Sequence, residues 1–221
     1  MLIKNAKIYT EQNIINGHLL IKDGKIAAIY QELPNDFNER IDTVDAKYSN
    51  LIPGFIDTHI HGANGADVMD ATTEAIETMA NYLVSEGTTS FLATTITQST
   101  DKIERALINL GQYNNTATGA EMIGIHLEGP FLEKSKAGAQ PIEYMRKPDL
   151  ELFNRWQQLA NNKIKTVTLA PEHDQGFQFA STLRKAGVNV SAGHTDMNFS
   201  EIKQAVNHGV NQVTHLCNAM S

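Results

Sequence analysis

The sequence predicts an α/β protein in which a small β-rich unit precedes a run of alternating strands and helices. Residues 1–50 hold short segments rich in isoleucine and leucine, and Asp23-Gly24 between two of them is a strong hairpin signal. From residue 51 onward, short apolar segments alternate with stretches whose apolar residues recur at helical spacing. Six consecutive strand–helix repeats of this kind predict a parallel sheet, and two architectures satisfy them: an open doubly wound sheet and a β/α barrel. No G-x-G-x-x-G and no phosphate-loop glycine pattern follows a strand, which counts against the nucleotide-binding open sheets. A barrel needs eight strands, so a barrel reading leaves two strand–helix units unaccounted for.

Taken in order, residues 2–9, 18–22 and 25–30 are the expected strands of the first unit. Two or three hairpin strands are marginal in water, so this unit needs further strands or another domain to pack against. The first strand of the repeat covers 52–59 and opens at Pro53-Gly54. A helix over 73–85 places Ile76, Met79, Ala80, Leu83 and Val84 on one stripe and stops at Gly87. The second strand is 88–95. Ser99 or Thr100 caps the next helix, which buries Ile103, Leu107 and Leu110 and carries Asp101 and Glu104 in its first turn. The third strand, 121–127, runs into Glu128-Gly129-Pro130, and a longer loop follows to Pro141. Pro148 stands near the start of the helix that holds Leu150, Phe153, Trp156 and Leu159. The fourth strand is 164–170, the fourth helix 177–185 and the fifth strand 188–192. A helix from Asn198 or Ser200 to His208 then leads to a sixth strand over 212–215.

Composition narrows the function classes. A chain of 221 residues is long enough for one substantial domain with a small appendage, here 1–50 and 51–221. Lysine and arginine number 18 against 25 acids, a net charge of −7 with no basic block, which argues against nucleic acid or an anionic membrane surface as the main partner. The single cysteine, Cys217, excludes an internal disulfide and fits a reducing compartment. The N-terminus has no apolar stretch of signal length, and no run reaches the roughly 18 residues of a membrane helix; the expectation is a soluble, cytoplasmic protein.

Donor residues gather at strand ends. His59 and His61, two apart, fall on one face of the first strand, because side chains alternate with a period of two. Glu128 ends the third strand, His194 the fifth and His215 the sixth, and the C-terminal ends of different strands are where barrel sites are assembled. Together they offer nitrogen and oxygen donors suited to zinc or a similar divalent ion. Asp57 and His126 are placed to support them. Cys217, two residues beyond His215, reads as a small buried residue rather than a ligand. His173 follows the fourth strand, and His208 reads as a helix C-terminal cation or surface group.

Four motifs carry a resemblance. Pro53-Gly54-Phe55-Ile56-Asp57-Thr58-His59-Ile60-His61-Gly62, His126-Leu127-Glu128-Gly129-Pro130-Phe131, Ala192-Gly193-His194-Thr195 and Thr214-His215-Leu216-Cys217-Asn218-Ala219-Met220 resemble the successive motifs of the N-acetylglucosamine-6-phosphate deacetylase family, within the amidohydrolase superfamily. The first marks only the superfamily; the second and fourth are more specific. The resemblance implies a TIM-type β/α barrel with six of its eight units in this chain, the first 50 residues being part of a small β-sandwich. It implies that Glu128, His194 and His215 hold a catalytic divalent metal, zinc or iron. His59 and His61, sharing Glu128, supply a second position, so one or two ions are expected per chain. Ala139 and Gln140 fall where the loop lines the substrate, and Asn218 and Ala219 where the sugar phosphate is contacted. Cys217 departs from the aromatic residue common at its position.

The reaction implied is hydrolysis of the acetamide of N-acetylglucosamine 6-phosphate to glucosamine 6-phosphate and acetate, by a homodimer at full length. The family's catalytic aspartate is expected beyond Ser221, as are its phosphate-binding histidine and arginine, so this chain reads as the N-terminal part of the enzyme. The competing readings are another amidohydrolase, dihydroorotase-like or deaminase-like, and a non-catalytic metal-binding fragment.

Overall fold

A computed structural model describes residues 1–35, 37, 40–216 and 218–220. The chain divides into two compact units, Met1–Gly54 and Phe55–Ser221. In the first, β1 (Leu2–Tyr9), β2 (Ile14–Lys22) and β3 (Lys25–Tyr30) form an antiparallel meander. Asp23 and Gly24, at φ 51° and 71°, make the tight β2–β3 turn, whose two central residues need left-handed backbone. Strand β2 starts four residues before the expected 18. Two short strands, β4 (Thr43–Asp45) and β5 (Asn50–Leu51), pair in parallel with β1 and complete the sheet, in the order β3-β2-β1-β4. At three and two residues they are too short for alternation to reveal them. Ala6, Ile8 and Leu19 form the buried centre of this unit.

The second unit holds the expected six-stranded parallel sheet: β6 (Phe55–Ile60), β9 (Thr88–Thr95), β10 (Glu121–Glu128), β11 (Ile164–Leu169), β12 (Asn189–Ala192) and β13 (Gln212–Val213), side by side in chain order. A two-stranded ribbon, β7 (Gly62–Ala63) with β8 (Ala66–Asp67), interrupts the first crossover. Helices α1 (Thr73–Ser85), α2 (Thr100–Gln112), α3 (Leu150–Leu159), α4 (Gln178–Lys185) and α5 (Phe199–Asn207) make the crossovers. Their starts follow local hydrogen-bond chemistry. Thr72 caps α1 through Ala75 N, Asp149 caps α3 through Leu152 N, and Asn198 and Glu201 form a reciprocal capping box on α5. Ser99 precedes α2 without a side-chain cap bond.

Several boundaries differ from expectation for identifiable reasons. The first strand begins at Phe55 rather than 52, because Pro53 has no N–H to give a ladder. Phe177, at φ 54°, lies before α4 and not inside it. The sixth strand ends at Val213, since His215 is left-handed at φ 57° and cannot continue an extended strand. The core lies between sheet and helices, with Trp156, Phe131, Phe91, Met79 and Ile125 among the fully buried side chains.

The sheet is curled. Strands β6 and β13 are its two outer edges and do not pair, yet the ring of His59, near the end of β6, and that of His215, just beyond β13, are 4.9 Å apart. His126 of β10 likewise reaches past β9 to the Thr58 carbonyl at 3.0 Å. Curling thus brings the C-terminal strand ends to one mouth. Phe55, Ile56 and Val213 on the edge strands are exposed. Among the described residues, no helix is long and apolar enough to cross a membrane.

Candidate metal centre

At that mouth Glu128 is the centre. It is the last residue of β10 and its side chain is fully buried. Its Oε1 lies 2.9 Å from His215 Nε2 and 3.2 Å from His194 Nε2. Its Oε2 lies 3.0 Å from His61 Nε2 and 3.6 Å from His59 Nε2. All five expected ligands therefore meet around one carboxylate. The donor atoms of His59, Glu128 and His215 all lie within 4.8 Å of one another. His215 stands between the two histidine sets, its ring 4.9 Å from that of His59 and 5.1 Å from that of His194.

Backbone irregularities aim these side chains. Between Asp57 and Ile60 the pairing of β6 with β9 shifts register, a bulge that turns His59 and His61 toward the carboxylate. Asp57 accepts from His59 N at 3.0 Å, so its support is to the backbone of the bulge. His194 and His215, at φ 51° and 57°, turn out of their strands in left-handed conformation. Gly129, directly after Glu128, has φ 74°, and Thr97 Oγ1 occupies the place its Cβ would take.

Two features make this donor set fit a divalent cation. His61 Nδ1 faces the Thr94 carbonyl at 3.1 Å and His194 Nδ1 faces the Lys136 carbonyl at 2.8 Å. A carbonyl only accepts, so each Nδ1 carries the proton and each Nε2 aims at Glu128, the outer-shell arrangement common to metal-binding histidines. In addition, His59 and His61 turn their Nε2 atoms to each other at 3.3 Å, close to the same carboxylate oxygen. Lone pairs so disposed need a proton or a cation between them. Burial opposes charging His61 and His194, but the Glu128 carboxylate outweighs it and raises both. Burial alone would raise the Glu128 carboxyl; the hydrogen bonds from His194, His59 and His61 hold it well below the usual carboxylate range.

His126 is a different kind of histidine. It is buried, its Nδ1 donates to the Thr58 carbonyl at 3.0 Å, and its Nε2 meets Thr168 Oγ1 at 2.6 Å. Burial, helped by the neighbouring His59, pushes it down to about 4, so it is neutral. Neutrality fixes the direction of a hydroxyl chain: Thr168 donates to His126 and accepts from Thr214 at 2.8 Å, and Thr214 accepts from Ser191 at 2.6 Å. This chain links β10, β11, β12 and the residue before His215 across the sheet interior. Sequence reasoning did not reach it, because a buried threonine in a strand is indistinguishable by pattern from one that only packs.

Of the expected substrate-lining residues, Ala139 is exposed and Gln140 is buried, its amide between Thr97 N and Glu128 Oε2 at 2.9 Å each. Asn218 is exposed, its N–H bonded to the His215 carbonyl, and Ala219 is half-buried. Cys217 lies outside the described residues, as does Ser221. A cavity of about 560 Å³ opens against His59, His126 and His215. His173 bonds Glu133 at 2.8 Å, close to Glu172. Those carboxylates already accept from Ser135 N, Thr195 Oγ1 and Asp196 N, tying together the loops after β10, β11 and β12. His208 caps α5 and stacks on Phe177.

The chain is 46% identical over its whole length to N-acetylglucosamine-6-phosphate deacetylase of Bacillus subtilis (strain 168), of which it covers 57%. It is 31% identical to N-acetylgalactosamine-6-phosphate deacetylase of Escherichia coli O157:H7, again over its whole length and 57% of the relative. A mutant N-acetyl-D-glucosamine-6-phosphate deacetylase from Mycobacterium smegmatis, solved in complex with N-acetyl-D-glucosamine-6-phosphate, superposes with a TM-score of 0.89 at 28% identity, over all of this chain and 56% of that one. The chain thus spans just over half the length of the relatives it matches. The profile of the Amidohydrolase family matches residues 50–221, which contain the whole parallel sheet, the buried carboxylate and the four histidines around it. The chain belongs to the amidohydrolase family.

Proposed function

We propose that the protein hydrolyses the acetamide of an N-acetylated amino-sugar phosphate, N-acetylglucosamine 6-phosphate being converted to glucosamine 6-phosphate and acetate, with zinc or iron held at Glu128. The observation that carries this reading is one buried carboxylate ringed by four imidazole Nε2 atoms at the ends of strands of a single parallel sheet. Likeness to deacetylases of two epimeric sugar phosphates supports the substrate class. Glu128, His194 and His215 hold one ion, and His59 and His61, sharing Glu128, hold a second. Bound there, a divalent cation supplies Lewis acidity to the amide carbonyl and acidifies the attacking water.

The chain's own residues prepare the site for that chemistry. The Thr94 and Lys136 carbonyls fix the tautomers of His61 and His194, so that both present unprotonated Nε2 atoms. His126, kept neutral by burial, adds no positive charge beside the ions and holds the Thr58 carbonyl next to His59. On this reading Ala139 lines the substrate and Asn218 and Ala219 contact its sugar phosphate; the exposure of Ala139 and Asn218 supports it.

The test is product analysis on protein loaded with Zn²⁺ or Fe²⁺ and supplied with N-acetylglucosamine 6-phosphate, its galactosamine epimer, dihydroorotate and an aminopyrimidine. Acetate release that needs the ion, needs the further segment expected to carry the catalytic aspartate, and vanishes in Glu128→Gln is the expected result. Ion-dependent ammonia release or ring opening of dihydroorotate instead would reassign the enzyme within its family.

A further inference from the structure

Gln140 is the residue that departs most from its sequence reading. It sits in the loop after β10 among substrate-lining positions, yet it is only 6% exposed and both ends of its amide are engaged within the protein. Its Oε1 accepts from Thr97 N, just beyond the end of β9, and its Nε2 donates to Glu128 Oε2, each at 2.9 Å. An amide held in this way has a defined orientation. The Thr97 N–H can only donate, so the oxygen must face Thr97 and the NH₂ must face the carboxylate.

The contact is also one-sided. Glu128 Oε1 faces His194 and His215, whereas Oε2 faces His59 and His61 and alone receives the amide. A carboxylate free to rotate about its last bond would exchange these two oxygens. With a donor anchored to Oε2 it cannot do so without losing a buried hydrogen bond and leaving an amide N–H unpaired. The same loop fixes the other set, since the Lys136 carbonyl accepts from His194 Nδ1 and Glu133 N donates to the His194 carbonyl.

We infer that Gln140 is a positioning residue for metal loading: by anchoring Glu128 Oε2 to the end of β9, it sets the carboxylate plane that lets one oxygen serve the His59–His61 position while the other serves the His194–His215 position. This rests on the two-position reading proposed above. Outer-shell hydrogen bonds to a ligating carboxylate contribute roughly 10–100-fold in metal affinity. Because the amide touches only Oε2, its loss falls on the His59–His61 step. The His194–His215 step keeps its ligand oxygen and its Lys136 contact.

The experiment is stepwise titration of the metal-free chain with Co²⁺, read by calorimetry and by visible absorption, which reports the coordination of each ion as it binds. Gln140→Met keeps the side-chain length and removes both polar contacts. Gln140→Asn keeps an amide for Thr97 N–H but is one methylene too short to reach Glu128 as well, and so covers the case in which the methionine variant does not fold. A His59→Asn/His61→Asn chain identifies which step belongs to that pair. In either Gln140 variant the expected result is a loss of about 10–100-fold in that step, with the other within about threefold and its absorption unchanged. Equal weakening of both steps, or neither, overturns the role of Gln140 while leaving the metal centre standing. Wild-type protein that takes up no Co²⁺ overturns the metal reading itself, and this inference with it.

Discussion

The hydroxyl chain beneath the histidine cluster makes a quantitative prediction through Thr168→Val. Valine keeps the shape of threonine, so little packing changes, but two buried groups lose a partner. His126 Nε2 no longer receives a proton, and the Thr214 hydroxyl no longer has its acceptor. A buried polar group left unpaired costs about 1–3 kcal/mol, so the pair amounts to about 2–6 kcal/mol, offset by roughly 1 kcal/mol from the added methyl. The assay is urea unfolding of metal-free protein followed by the fluorescence of Trp156, the single tryptophan, which is fully buried in the second unit. With a urea slope of about 2 kcal/mol/M, the midpoint falls by about 0.5–2.5 M while the slope itself stays constant. Thr168→Val/Thr214→Val supplies the cycle. Once Thr168 is changed, the Thr214 hydroxyl is already orphaned, so the two costs fall short of additivity by about 1 kcal/mol. A midpoint unchanged within about 0.2 M, or strict additivity, would refute the directed chain.

Three further outcomes follow from the same geometry. Glu128→Gln removes the one carboxylate that faces both histidine sets, and metal uptake measured by atomic emission is expected to fall by more than about 100-fold, whereas loss limited to one ion would show that the carboxylate is not shared. His126 has its folded value pushed down to about 4 from 6.5, so the unfolded chain binds the extra proton first and stability is lost as pH falls below 6.5 toward 4. By pH 5 this amounts to about 2 kcal/mol, seen as a shrinking gap between wild type and His126→Gln in urea melts at pH 7 and pH 5. His61 and His194, both raised, act in the opposite sense: their contribution is complete below 6.5 and is lost as pH rises through the folded values. In metal-free protein, His194→Gln therefore narrows its deficit relative to wild type between pH 6 and pH 9, and a gap that widens over that range would show the sign to be wrong.

How far the sequence could be read depended on the range of the force involved. Helices were legible because their signals are local. Thr72, Asp149 and Asn198 sit within three residues of the N–H groups they cap, and the stripe of Ile76, Met79, Ala80 and Leu83 is a property of one turn after the next. The donors were legible as strand-end residues because a strand's length and direction are local too. What they do to one another was not. That Gln140 turns inward to Glu128 depends on Thr97, 43 residues away along the chain, and the hydroxyl chain joins Ser191 and Thr214 to His126 through Thr168. Such contacts exist only after the sheet has curled. The sixth strand's end was misjudged at His215 because a left-handed backbone, here φ 57°, is not announced by the residue type.

The left-handed turn at His194 places an unusual demand on the residue before it. Gly193 has ordinary backbone, so its importance is steric. A Cβ there would lie 2.7 Å from Thr214 Cβ and 2.9 Å from Thr168 Cγ2, inside the contact limit of both, and 3.1 Å from the Thr214 carbonyl oxygen. Gly176 is the opposite case: its φ is 65°, and nothing lies within 4 Å of where a Cβ would go. Gly193→Ala must therefore push apart β12 and the residue before His215, at a cost of about 1–3 kcal/mol, and the displacement reaches the Thr168–Thr214 hydrogen bond and His194 together. Gly176→Ala incurs only a left-handed alanine, about 1 kcal/mol, in a loop that touches neither. Two substitutions of the same chemistry and similar stability cost are thus expected to separate in metal binding. The first lowers affinity by about tenfold or more, on the order seen when a supporting contact is lost, and the second leaves it unchanged. Equal affinities in the two variants would mean that the site tolerates movement of His194, and that the close packing beneath it serves the sheet alone.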